Sequence, residues 1–192
     1  MSTSDTHYMP SDQVWQLIDA FTQRFPDGNT PFQLISRLAE ECGELAEQVN
    51  AVEIHGIANR FHFAKEIEDV IRATLTIARY YHLKTEFTFE QFYAQAAQFQ
   101  EQMPSINSYY AISVLSEGLG KTARHINHAE GMGRKQEKYG ELDHTLFAQT
   151  LASLLYPVAA ITRSYHLEDD VQHAIHHSYQ RMKELGFISS SM

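Results

Sequence analysis

The sequence predicts an all-α fold for its 192 residues. Apolar residues recur at the three- and four-residue spacing of amphipathic helices in one segment after another, and no window shows the alternation typical of a β-strand. These segments are also punctuated by residues that favour helix ends, with Ser, Thr or Pro at the start and Gly or Pro at the stop. Apolar residues make up 43% of the chain, which is enough to bury a real core.

Seven helical segments follow from these signals. Ser11 precedes the first, and Thr30 and Pro31 are the cap and the first helical residue of the second. Thr88 and Gln91 have the spacing of a capping box for the fourth, which stops at Pro104. The predicted segments are about 12–25, 31–54, 61–83, 89–103, 107–130, 143–166 and 169–185, with Gly186 ending the last.

Charge and cysteine content narrow the classes of partner. The formal net charge is −9 and there is no long basic run, which argues against a nucleic-acid partner, because such a surface has to neutralise phosphates. Cys42 is the only cysteine, so an intrachain disulfide is excluded and a reducing cytoplasm is expected. We expect Cys42 to be a buried thiol rather than a nucleophile. We also expect no signal peptide and no segment approaching the roughly 20 apolar residues that span a membrane.

The two halves of the chain resemble each other. Residues 38–53 match 115–130 at a shift of 77, residues 13–26 match 91–104 at a shift of 78, and IARYYHL (77–83) matches ITRSYHL (161–167) at a shift of 84. The change of shift falls in the loop 131–142. We interpret this pattern as a tandem duplication, with units 1–103 and 104–192 packed as an intramolecular pseudo-dimer in one globular domain.

Carboxylates crowd the second and third predicted helices. Glu41 and Glu44 are three residues apart and share a helix face, and Glu66 and Asp69 repeat that spacing on the next helix. If the two helices pack antiparallel, all four carboxylates meet. Such a cluster is costly unless a cation neutralises it, and Mg²⁺ prefers carboxylate oxygens together with substrate phosphates. The alternative is a solvated acidic face.

The second copy of the repeat helps to decide between these alternatives. Scaffold residues persist there, with Gly43 matched by Gly120. All four carboxylates are lost. Their counterparts, in the order Glu41, Glu44, Glu66 and Asp69, are Gly118, Lys121, Thr150 and Ser153. A merely solvated face would not be expected to lose the four together, so the sequence favours a metal site in the first half only.

The two acidic motifs of the chain resemble those of a known family. EExxE (Glu40, Glu41, Glu44) followed by ExxD (Glu66, Asp69) is similar to the two motifs of the all-α nucleotide pyrophosphohydrolases of the MazG type, a superfamily that includes dimeric dUTPases. The resemblance covers about residues 10–100, and residues 101–185 look like a second unit with eroded motifs. It implies hydrolysis of a nucleoside triphosphate to the monophosphate and pyrophosphate, with Mg²⁺ or alternatively Mn²⁺, in house-cleaning of the nucleotide pool.

The resemblance also implies roles for single residues. Glu41, Glu44, Glu66 and Asp69 would be the metal ligands, and Glu40 would position or deprotonate the attacking water. Glu117 stands opposite Glu40 in the second copy, which leaves a structural role for Glu40 open.

Three further side chains are candidates for substrate binding. Lys65 and Arg72 flank the ExxD motif and could reach a phosphate, or they could serve as ion-pair partners of the cluster. Trp15 could stack on a nucleobase, or it could belong to the core. A di-iron or zinc site built on the histidine pairs 125/128 and 173/176 or on Glu141 and His144 is a weaker alternative, since di-iron bundles need two Glu-x-x-His motifs.

Two other classes of function stay open beside the enzyme. One is a nucleotide-binding regulatory protein of the same fold without turnover, and the other is a helical adaptor. The association of two such chains into a homodimer of pseudo-dimers is also compatible with the sequence.

Overall fold

Eight α-helices and one 3₁₀ turn make up the described part of the chain. The computed structural model describes residues 8–56, 59–83, 86–102 and 107–189. No strand occurs in these ranges, and the all-α prediction is confirmed. The helices are α1 (Ser11–Arg24), α2 (Pro31–His55), α3 (Arg60–Tyr80), α4 (Phe89–Gln102), α5 (Ser108–Ala129), α6 (Lys135–Tyr139), α7 (His144–Ser164) and α8 (Glu168–Glu184), with the 3₁₀ turn at Pro26–Gly28.

The helix starts are stabilised by the polar side chains that precede them. Thr30 and Gln33 form a capping box at the start of α2, where the Thr30 N–H donates to Gln33 Oε1 at 3.1 Å. The predicted cap of α4 is also present, because the Gln91 N–H donates to Thr88 Oγ1 at 3.2 Å. Side-chain oxygens of Asn59, Asn107 and Asp143 accept in the same way at α3, α5 and α7. The predicted boundaries therefore hold to within a few residues.

The loop predicted at 131–142 contains one short helix, α6, that the sequence analysis missed. It spans five residues, Lys135–Tyr139, between glycines with positive φ at Gly133 and Gly140. A helix of this length is little more than one turn. Hydrophobic periodicity needs a window of 11 residues or more, so it carries no signal for α6.

Helices α3 and α7 end in the same way. His82 and His166 follow them with φ of 50° and 53°, in the left-handed region that ends many helices. The leucine after each histidine donates its N–H back to the helix, from Leu83 to the Ala78 carbonyl and from Leu167 to the Thr162 carbonyl, both at 2.9 Å. The repeated YHL segment therefore forms the same stop twice, as a duplication requires.

Two helix pairs form the centre of the molecule. Helix α2 packs against α3, and α5 packs against α7. The pairs meet through α2–α5 and α3–α7 contacts, so exchanging α2 with α5 and α3 with α7 leaves the pattern unchanged. On the outside, α1 packs on α3, α4 packs on α7, and α8 covers α3 and α1. The pattern is consistent with the predicted pseudo-dimer, which stays an interpretation together with its boundary at residue 103.

Helix α7 is the one described helix long and apolar enough to cross a membrane by length and composition, contrary to the expectation from the sequence. In this structure 61% of its most apolar window is buried inside the protein, where it packs against α5, α4 and α3. Its apolar character is therefore that of a central core helix.

Candidate metal centre

Three carboxylates from α2 and α3 meet where the two helices face each other. One oxygen each from Glu41, Glu66 and Asp69 lie within 4.8 Å of one another. Glu41 is only 9% exposed and Glu66 only 4%. The predicted convergence is therefore present for these three residues. Within the described ranges, no other group of three or more acidic, histidine or cysteine side chains comes together in this way.

The other two residues of the first motif lie at the edge of this cluster. Glu44 is exposed on α2, one turn beyond Glu41, and its carboxyl group contributes to the raised pKa of Glu66. Glu40 is exposed as well and immediately precedes Glu41. Glu44 thus extends the cluster toward solvent, and Glu40 stands beside it on the same helix.

The cluster has the electrostatics of a site built for a cation. Burial, together with the neighbouring Asp69 carboxylate, raises the pKa of Glu41 to about 7. Burial, the neighbouring Glu44 carboxyl group and the charge of Asp69 raise the pKa of Glu66 to about 8. Glu66 Oε2 is buried and has no hydrogen-bond partner among the described residues. Carboxylate oxygens that lie this close together, one of them without a hydrogen-bond partner, suit a hard divalent cation such as Mg²⁺.

Two cations lie against the cluster from the α3 side. Lys65 Nζ donates to Glu68 and, at 2.6 Å, to Asp69 Oδ1. The Arg72 guanidinium donates to Asp69 and lies 3.7 Å from Glu41 Oε1. Although burial lowers the pKa of Lys65, the charges of Glu68 and Asp69 raise it further, so the ammonium stays protonated. Both side chains are ion-pair partners of the carboxylates in this state, and their contact with a phosphate stays a prediction.

The aromatic residue of α1 that reaches this region is Phe21. The guanidinium of Arg72 lies 4.3 Å from the centroid of the Phe21 ring, a cation–π contact that holds the arginine in place. Trp15, the predicted stacking residue, is half-buried on α1 and packs against the hydrophobic core. The geometry therefore favours the core alternative for Trp15, and a role in base stacking stays untested.

Glu68 is the residue of this site that the sequence analysis missed. It is 1% exposed, and its carboxylate accepts from Lys65 and, at 3.3 Å, from Ser178 Oγ on α8. Arg72 Nε lies 3.6 Å from its other oxygen. Its burial depends on a helix more than 100 residues away in the chain. The spacing of Lys65 three residues before it and Arg72 four residues after it was the available signal.

His62 was also missed. Its Nδ1 lies 3.2 Å from Glu66 Oε1, one helical turn away on α3, and its side chain is 55% exposed. Histidine at this position gives Glu66 a partner on the solvent side of the cluster.

The counterpart of the cluster in the second half consists of close packing, a neutral hydrogen bond and an exposed ion pair. A Cβ on Gly118 would lie 3.3 Å from Leu154 Cβ, so α5 and α7 approach closely where α2 carries Glu41. Thr150 Oγ1 lies 3.1 Å from His125 Nε2, and Lys121 pairs with Glu117 at 2.6 Å. The alternative of a transition-metal site has no support, because the histidines of the described ranges belong to no group of three or more potential ligand side chains.

An open groove of about 740 Å³ lies further along α1, α2 and α3. Leu34 and Thr76 line it, and each is seven residues from Glu41 and Asp69 respectively, on the side away from the α2–α3 turn. Seven residues correspond to about 10 Å along a helix. The groove is within the size range of small-molecule sites.

One comparison with known proteins found a match to part of this chain. Residues 29–101 match the family model of the MazG nucleotide pyrophosphohydrolase domain. The matched segment contains α2 and α3 with all four predicted ligands, and the resemblance inferred from the two motifs is confirmed over it. The comparisons with curated proteins and with solved structures found no match.

Proposed function

We propose that this chain is a Mg²⁺-dependent nucleoside triphosphate pyrophosphohydrolase, which hydrolyses a (d)NTP to the monophosphate and pyrophosphate. The observation that carries the proposal is the meeting of Glu41, Glu66 and Asp69 within 4.8 Å on the two helices of the MazG match. Mg²⁺ is the proposed ion, with Mn²⁺ as an alternative. Glu44, at the edge of the cluster, completes the proposed ligand set.

The metal would supply a charge clamp for the phosphates and a bound water of lowered pKa. The protein's own residues have distinct tasks around it. Glu40, exposed next to Glu41, accepts the proton of the attacking water. Arg72, held over Phe21 at 4.3 Å, and Lys65 then lie within reach of the phosphate oxygens and balance the negative charge that builds up during the reaction.

The nucleoside end of the substrate is assigned to the groove that Leu34 and Thr76 line. Its distance of about 10 Å from the carboxylates along the helices fits a triphosphate that bridges the two. We infer that the base lies near α1, whose residues Thr22 and Gln23 form the other wall of the groove. We further propose a cytoplasmic role in cleaning the nucleotide pool, without a nucleic-acid partner, and leave a homodimer of pseudo-dimers as the proposed assembly.

Pyrophosphate release from a panel of dNTPs and NTPs, with and without Mg²⁺, tests this proposal. We expect metal-dependent release from the wild type and a loss of at least 100-fold in Glu41→Gln, which also controls for contaminating enzymes. Release that continues unchanged in Glu41→Gln would refute the assignment. Nucleotide binding without any release would instead support a regulatory protein that keeps the fold.

A further inference from the structure

Lys65 lies between two carboxylates of different exposure. Its ammonium donates to Asp69 Oδ1 at 2.6 Å on one side and to Glu68 on the other. Asp69 belongs to the proposed ligand set and its side chain is 13% exposed, whereas the Glu68 side chain is 1% exposed. The ammonium is thus shared between an oxygen of the proposed ligand set and an oxygen of a carboxylate outside that set.

Glu68 is anchored by contacts outside the ligand set. Ser178 of α8 donates to the same oxygen that accepts from Lys65, and Arg72 Nε lies 3.6 Å from the other. A buried carboxylate is tolerated only when such partners are present. The hydrogen bond from Ser178 therefore helps to fix Glu68, and Glu68 in turn binds the Lys65 ammonium.

The repeat separates this group from the common scaffold. At the shift of 84 that relates α3 to α7, the group Lys65, Glu68 and Arg72 is replaced by Gln149, Ala152 and Tyr156. The second copy therefore loses both cations and the buried carboxylate together with the predicted ligands. A group needed only to pack the helix pair would be expected in both copies.

We propose that Glu68 is a positioning residue that holds the Lys65 ammonium as a built-in counter-cation of Asp69 and keeps it paired when Asp69 binds a divalent cation. The proposal rests on the proposed metal-dependent function. Without Glu68, the ammonium has Asp69 as its remaining close partner and competes with the metal for that oxygen. Glu68 thus lowers the cost of exchanging the lysine for the metal.

Mn²⁺ binding measured by calorimetry on the full chain, without nucleotide, tests this proposal through a double-mutant cycle. The variants are Glu68→Gln, Lys65→Met and the two combined, and Glu47→Gln is the matched control, because it removes an exposed carboxylate from α2 without touching Lys65. We expect Glu68→Gln to weaken binding by about tenfold or more, as loss of an outer partner of a metal ligand does. Glu47→Gln should stay within about threefold of the wild type.

The combined variant is decisive. With Lys65 removed, no ammonium competes for Asp69, so the double variant should bind Mn²⁺ at least as tightly as the wild type, and Lys65→Met alone should bind more tightly. A loss that persists in the double variant, or binding by Lys65→Met that is no tighter than the wild type, would overturn the proposal. Failure of the wild type to bind Mn²⁺ would instead overturn the proposed function itself. Melting curves in EDTA verify that each variant is folded.

Discussion

The carboxyl group of Glu41 is buried, and the neighbouring Asp69 carboxylate repels its negative charge. Its pKa is about 7, against an ordinary value of 4.5. An acid with a higher pKa in the folded state binds more protons when folded, so the stability of the metal-free protein falls as the pH rises through this interval. This loss of stability is small near pH 5 and complete above about pH 7.

We therefore expect Glu41→Gln to raise the melting temperature of the metal-free protein at pH 8 and to change it little at pH 5. Glutamine keeps the shape of the side chain and removes the buried charge. Thermal unfolding in EDTA at the two pH values measures this difference. A lower melting temperature than the wild type at pH 8 would show that the pairing of Glu41 with Arg72 outweighs the cost of burial.

Cys42 gives a second prediction at this scale. The thiol is buried between Glu41 and Gly43, and burial, with the Glu41 charge, raises its pKa to about 12. Since the thiolate is the reactive form, an aromatic disulfide reagent at pH 8 should label the native protein at least 100-fold more slowly than the protein unfolded in urea. Equal rates would contradict the burial of Cys42.

At the scale of the helices, α5 approaches α7 closely at Gly118. Gly118 faces Leu154, where an added Cβ would be 3.3 Å from the leucine Cβ, whereas a Cβ on Gly120 of the same helix meets nothing within 4 Å. Replacing a glycine in a helix interior by alanine normally stabilises by about 0.5–1 kcal/mol. We expect that gain for Gly120→Ala and a smaller gain or a loss for Gly118→Ala.

Urea unfolding of the two alanine variants measures the change in the free energy of unfolding for each substitution. Equal stabilisation would mean that α5 and α7 have room at Gly118, and close packing would then not explain why the second copy lacks the counterpart of Glu41.

The helices also show which features a sequence can predict. Glu41, Glu66 and Asp69 were predictable because the i,i+3 spacing and a short turn between α2 and α3 are local properties. Glu68 was not, because its burial is set by Ser178 on α8, and contacts between distant helices leave no periodic signal. Trp15 and Phe21 both lie on α1 and pack against the core, and only the contact with Arg72 shows that Phe21 is the aromatic residue that reaches the site.

At the scale of the whole molecule, we propose that the nucleoside binds in the groove along α1, α2 and α3. Gln23 is an exposed residue of α1 that lines this groove. We expect Gln23→Trp to narrow the groove and to raise the KM for the best triphosphate at least fivefold, with kcat and Mn²⁺ affinity within about threefold of the wild type. Gln13→Trp, on α1 outside the groove lining, is the matched control. An unchanged KM in Gln23→Trp would place the nucleoside elsewhere.

In the duplication that we propose, one copy carries the carboxylates and the other contributes packing. The α2–α3 pair carries the cluster, while α5 and α7, which pack against it, carry Gly118 and Thr150 in the matching positions. The central claim is that the first-half cluster directs cleavage between the α- and β-phosphates of a nucleoside triphosphate.

Phosphorus NMR of the complete product mixture from the best triphosphate tests that claim most directly. We expect equal amounts of nucleoside monophosphate and pyrophosphate. Both products should form only when Mg²⁺ is present, and neither should form with the Glu66→Gln variant. Nucleoside diphosphate and orthophosphate as the products would contradict it, because they require cleavage at a different phosphorus.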